Sequence, residues 1–127
     1  MGKKTICLDF DGVLHWYRKG WHDGTIYDDV TPGAQEAVDS LRAKGYEVVV
    51  HSTRCKTPDG ALAVNNWLST HGIKVDRVAE TKPMAMVYVD DRALRFEGDW
   101  SIVANIERYF QTWTSRAPDY FGHVNGA

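Results

Sequence analysis

The run Tyr46-Glu47-Val48-Val49-Val50-His51 limits what this chain can fold into more than any other stretch. Three β-branched residues in succession, with no polar alternation, mark a strand buried on both faces. Such a strand belongs in a parallel sheet, and parallel strands need long crossover connections, usually helices. The neighbouring sequence supplies them. Ala34, Ala37, Val38 and Leu41 recur at helical spacing after Pro32-Gly33 and stop at Gly45, predicting a helix over 32–44. Ala61, Val64, Trp67 and Leu68 repeat the pattern up to Gly72, predicting a second helix over 59–71. Further strands are expected at 5–8, 77–79 and 86–89, and Trp100, Val103, Ile106, Phe110 and Trp113 predict one long amphipathic final helix with Trp100 anchored in the core.

Between Gly12 and Val30 neither periodicity holds. Two short extended pieces, 13–17 and 25–27, flank a glycine-containing turn and predict a small β-hairpin flap over about residues 13–30. With 127 residues, 43% of them hydrophobic, the chain suits a single domain over 1–127, with a patternless tail over 115–127. The formal net charge of −2 gives no global attraction to nucleic acid or anionic membrane, so a partner has to be recognised at a local site. Two cysteines, Cys7 and Cys55, make no disulfide framework, and no segment approaches the roughly 20 apolar residues of a membrane span. A soluble, cytoplasmic protein is expected.

In an open parallel sheet, ligands bind beyond the carboxyl ends of the strands. Polar groups gather at that edge. The first strand runs into Asp9-Phe10-Asp11-Gly12, the second into Ser52-Thr53-Arg54 and the fourth into Asp90-Asp91-Arg92, while Lys82 precedes the fourth. Each set alone reads most simply as a turn or a helix cap. Together they place several carboxylates at one edge, where they repel unless a cation compensates, and a hard, oxygen-seeking ion such as Mg2+ suits them.

The order "DFDGV", a serine after a hydrophobic strand, Lys82, and "DD" after another hydrophobic strand resembles the four motifs of the haloacid dehalogenase superfamily, over about residues 5–92. The absence of a large insertion is similar to its small, minimally capped phosphatase-like members. The resemblance implies a three-layer, Rossmann-like α/β domain and a Mg2+-dependent phosphohydrolase acting on a phosphomonoester. It implies Asp9 as the nucleophile that carries an aspartyl-phosphate, and Asp11 as general acid then base. Ser52 would hold the phosphoryl oxygens, with Thr53 in reserve, and Lys82 would neutralise Asp9 and the phosphate. Asp9, the Asp11 backbone carbonyl and Asp90 would bind Mg2+, supported by Asp91.

Gly12 and Arg54 fall beside these groups and are candidates for substrate binding. Trp16, Tyr17 and Trp21 either stack on a substrate ring or pack the flap onto the domain. His15, His22 and Asp23 show no repeated ligand spacing and read as exposed loop residues. Arg18, Arg92 and Arg95 read as solvated, and Cys55 has no histidine partner to make it a nucleophile. A small flap leaves an open site, fit for a phosphorylated small molecule, a protein or a nucleic-acid end, or for closure by a second subunit of a homo-oligomer. The alternatives are a phosphoacceptor signalling domain, whose acceptor would follow a middle strand, and a non-catalytic interaction module on the same fold.

Overall fold

The computed structural model describes residues 3–110. It contains two compact units, residues 1–90 and 91–127. In the first, β1 (Thr5–Asp9), α1 (Ala34–Ala43), β2 (Glu47–His51), α2 (Pro58–Thr70), β3 (Arg77–Ala79) and β4 (Val87–Val89) follow in that order. The four strands form one sheet in the order β3-β2-β1-β4, every pair parallel. The expected α/β class and Rossmann-like parallel sheet flanked by helices are therefore present, with boundaries within two residues of those predicted from spacing.

Right-handed crossovers from β1 to β2 and from β2 to β3 put α1 and α2 on the same face of the sheet. The core agrees. Ile6, Leu8, Val48 and Val50 share one side by register and cluster with Val38 of α1 and Val64, Trp67 and Leu68 of α2. Cys7 and Val49, of opposite parity, are buried as well, as a strand sealed on both faces requires. Each helix has a local reason for its ends. Thr57 caps α2, its Oγ1 accepting from the Gly60 N–H at 3.0 Å, with Pro58 as the first helical residue. At the end of α1, Gly45 adopts φ 91°, which lets the Tyr46 N–H return to the Leu41 carbonyl at 3.2 Å.

Two expectations are corrected in the segment after β1. It forms no hairpin: its ladder consists of isolated bridges, His15 with Val30 antiparallel and Asp11 with His15 parallel. Beyond the Trp16 N–H to Asp29 carbonyl and Thr31 N–H to Leu14 carbonyl bonds around the His15–Val30 bridge, side chains hold the segment. Asp23 accepts from the Thr25 N–H, the Tyr27 hydroxyl donates to the Gly20 carbonyl and accepts from the Lys19 N–H, and Arg18 grips Asp28. Those local bonds compete with strand pairing and win. His15, expected in solvent, is completely buried.

In the second unit the long final helix is replaced by α3 (Trp100–Ala104) and α4 (Ile106–Tyr109). Asn105 breaks it. Its side chain donates to the Ser101 carbonyl at 2.8 Å while its backbone leaves helical geometry at φ −116°, ψ 45°. Trp100 is not in a core: 71% of it is exposed, and its ring meets Phe96 at 4.8 Å. Trp113 and the tail lie outside the described residues. Among the described residues no helix is long and apolar enough to cross a membrane.

Candidate active site

Parallel register brings the strand-end groups level. Asp9 faces His51 across the β1–β2 pair, and the β1–β4 pairing of Leu8 with Val89, continued one residue, sets Asp9 beside Asp90. A carboxylate oxygen of each lies within 4.8 Å of the other. Lys82, in the loop between β3 and β4, donates from Nζ to Asp90 Oδ2 at 2.7 Å. That bond raises the lysine's pKa against the opposing effect of burial, and the charges of Asp90 and Asp9 add to the rise, so the ammonium stays charged. The same loop is braced by Tyr88, whose hydroxyl donates to the Pro83 carbonyl and accepts from the Ala85 N–H. His51 Nδ1 lies 3.2 Å from Asp9 Oδ1. Asp91 follows as the first residue of the second unit.

Asp11 belongs to a different cluster. Arg54 donates from Nε to Asp11 Oδ2 at 3.0 Å and from Nη2 to Oδ1 at 3.2 Å. His15 Nδ1 lies 2.8 Å from the same Oδ1. Burial would raise the Asp11 pKa, but the hydrogen bonds from His15 and Arg54 outweigh it and hold the carboxyl below its ordinary value. The histidine's tautomer follows from its other nitrogen. Nε2 accepts from the Asp28 N–H at 3.0 Å, so the ring proton sits on Nδ1 and is donated to Asp11. The imidazole is packed against Phe10 at 5.5 Å, Tyr27 at 5.4 Å and Trp67 at 5.6 Å between ring centroids.

The remaining candidates divide. Ser52 is buried at the end of β2, where its Oγ accepts from the Arg54 N–H at 3.1 Å and caps a 3-10 turn over Thr53–Lys56. Thr53, next in the turn, is exposed. Gly12 holds φ 85° and donates its N–H to the His15 carbonyl at 2.8 Å. Trp16 is buried beneath the Arg18 guanidinium, which resolves its two readings toward packing, whereas Trp21 is 62% exposed with Arg54 against its ring. Burial raises the pKa of both cysteine thiols, and the charge of Glu80 adds to the rise at Cys55, the opposite of what a thiolate nucleophile needs. Of the two histidines that meet these carboxylates, the sequence reads His15 as an exposed loop residue and gives His51 no role beyond ending β2. For His51 a signal existed, since a strand-end residue opposite Asp9 has to meet it once the strands are paired. For His15 there was none, because its burial depends on tertiary packing around Trp67.

Residues 5–120 match the family model described as the HAD domain in Swiss Army Knife RNA repair proteins. The chain belongs to that family. Membership places it in the haloacid dehalogenase superfamily. No curated protein matches the sequence. Among solved structures, the D,D-heptose 1,7-bisphosphate phosphatase from Burkholderia thailandensis is similar with a TM-score of 0.40 and 20% identity, over 82% of this chain and 58% of that one. The chain thus spans a little over half the length of that phosphatase.

Proposed function

We propose that this chain is a Mg2+-dependent phosphohydrolase that removes a terminal phosphomonoester from a nucleic acid through an aspartyl-phosphate on Asp9. The observation that carries the reading is the pair Asp9 and Asp90, carboxylate oxygens within 4.8 Å at adjacent strand ends, with the Lys82 ammonium on Asp90. Like charges that close need compensation, and an all-oxygen donor set fits a hard divalent cation. Asp9, the Asp11 carbonyl and Asp90 would hold Mg2+, which when bound would offset charge on the phosphoryl oxygens. The nucleic-acid end extends to this chain what the family's description says of RNA repair proteins.

An Asp9 oxygen bonds to phosphorus as the ester P–O bond breaks, and the departing alkoxide takes a proton from Asp11, which has to be loaded from solvent first because the bonds from His15 and Arg54 favour its ionised form. A water then attacks phosphorus, gives its proton to Asp11, and releases inorganic phosphate while Asp9 regains its carboxylate. Ser52 and Lys82 orient and neutralise the phosphoryl group, the main protein contribution in phosphoryl transfer.

The test is phosphate release from 3′- and 5′-phosphorylated oligonucleotides, with Mg2+ or with chelator. Hydrolysis should require Mg2+ and vanish in Asp9→Asn, and Mg2+ should raise the melting temperature of the intact protein but not of Asp90→Ala. Near wild-type turnover in Asp9→Asn, or no Mg2+ binding at millimolar concentration, would overturn the reading.

A further inference from the structure

A general acid has to touch the leaving oxygen, so whatever flanks Asp11 on its far side lies along the leaving group rather than along the phosphoryl group. Arg54 occupies that place. Its side chain is only 5% exposed and is anchored at both ends, donating from Nε and Nη2 to Asp11 and from Nη1 to the Gly24 carbonyl at 2.7 Å. The guanidinium carbon sits 4.9 Å from the centre of the Trp21 ring. Gly24 flanks the edge of the same ring, where a Cβ would come within 3.4 Å of Cη2. Held in this way, Trp21 nevertheless keeps 62% of its surface exposed.

Trp16 provides the internal contrast. It too lies under a guanidinium, that of Arg18 at 4.7 Å, but only 8% of it is exposed, so its ring is consumed by packing. Trp21 is fixed by a buried cation against its ring and by Gly24 along one edge, with most of its remaining surface open. A rigid indole with a free face is what sequence-tolerant nucleic-acid binding uses, because every base has a π-face to stack on it.

Building on the phosphatase reading above, we infer that Trp21, backed by Arg54, is the platform on which the nucleobase of the terminal nucleotide stacks while its phosphate is removed. The ligand class is a nucleotide end that carries a base, and Trp21 sets the preference for it over a bare sugar phosphate. Stacking on an aromatic side chain contributes about 1–3 kcal/mol per base, equivalent to about 5- to 150-fold.

The experiment compares phosphorylated oligonucleotides whose terminal residue carries a base or is abasic. Wild type should favour the base-bearing end in kcat/KM by a factor within that range. Trp21→Leu, which keeps apolar bulk beside Arg54, should bring the ratio toward one, and Trp21→Phe should retain part of it. A ratio of one in wild type, or an unchanged ratio in Trp21→Leu, overturns the platform while leaving the phosphatase reading intact. The same comparison by fluorescence anisotropy in the Asp9→Asn background needs no turnover. Tighter binding of the base-bearing end that Trp21→Leu removes supports the platform even if no oligonucleotide is hydrolysed, and in that case the phosphatase reading alone falls.

Discussion

His15 offers the sharpest way to separate a positioning role from a structural one, because its two ring nitrogens serve different partners. Nδ1–H donates to Asp11 at 2.8 Å and Nε2 accepts from the Asp28 N–H at 3.0 Å, inside a site with no solvent exposure. Replacement by alanine is uninformative, since removing a buried ring costs about 3 kcal/mol or more in cavity alone. His15→Asn and His15→Gln are better. The asparagine amide nitrogen falls near the Nδ1 position and keeps the bond to Asp11, whereas the glutamine carbonyl reaches the Nε2 position and keeps the bond from Asp28. Each variant leaves one group short of a partner and should lose about 1–3 kcal/mol of stability. Catalysis should divide them. A hydrogen bond to a charged group is worth about 1.5–3 kcal/mol, so if Asp11 needs it to stay aligned, His15→Gln should lose about 10- to 150-fold in kcat. His15→Asn should retain most of its turnover. The assay is kcat at saturating phosphorylated oligonucleotide, with denaturant midpoints measured in parallel. Equal losses of kcat in the two variants, following their stability, would refute a positioning role and leave His15 as a packing residue.

Asp28 makes a pH prediction. The Arg18 side chain, with the Arg18 and Asp29 N–H groups, holds its carboxyl well below the ordinary carboxylate range against a smaller opposing effect of burial. A pKa lowered in the folded state gives stability that is present above the unfolded value of about 4 and is lost as pH falls below it. The stability gap between wild type and Asp28→Asn should therefore be constant from about pH 5 to 7 and narrow below about pH 4, and it should be modest because Arg18 is 56% exposed. A gap that does not change between pH 7 and 3 would contradict this. Gly60 reverses a familiar substitution: glycine to alanine in a helix ordinarily stabilises by about 0.5–1 kcal/mol. Here a Cβ would lie 1.8 Å from the Arg54 carbonyl oxygen, so Gly60→Ala should lower the melting temperature and, by displacing Arg54, lower kcat/KM as well. A raised melting temperature would show that the turn relaxes without cost.

What the sequence disclosed and what it hid have distinct physical origins. The central strands were legible because Ile6-Cys7-Leu8 and Val48-Val49-Val50 are buried on both faces, and only a parallel sheet accounts for such runs. The placement of Asp9, Ser52 and Asp90 at one edge was legible because strand ends in such a sheet share it. The loop after β1 was not, since extended propensity in 13–17 and 25–27 lost to side-chain bonds from Arg18, Asp23 and Tyr27 that no periodicity encodes. The final helix misled for a related reason. Its apolar spacing runs through residue 105, but Asn105 turns its amide onto the Ser101 carbonyl and ends α3 there. The partition of the tryptophans was likewise invisible, because burial of Trp16 and exposure of Trp21 depend on where the chain turns between them, at Tyr17 with φ 59° and Gly20 with φ 68°.

The two aspartates of the first motif end up in unlike surroundings, and that separation carries the chemical argument. One residue apart along the chain from Phe10, which is fully buried and anchors the segment, Asp9 and Asp11 diverge to opposite partners. Asp9 meets Asp90 within reach of the Lys82 charge, an all-oxygen set that in the proposed reaction would hold Mg2+. Asp11 meets a buried guanidinium and a neutral imidazole, where its charge is already compensated by protein groups. In the proposed reaction Asp9 would bond phosphorus, and Asp11, whose ionised form the bonds from His15 and Arg54 favour, would start ready to take the water's proton and need a proton supplied before it acts as an acid. If the proposed roles hold, the division would let the leaving-group side carry specificity without disturbing the nucleophile. Arg54 links Asp11 to Trp21, and Asp9 is served through β2 and β4, so changes at the indole reach the acid before they reach the attacking oxygen.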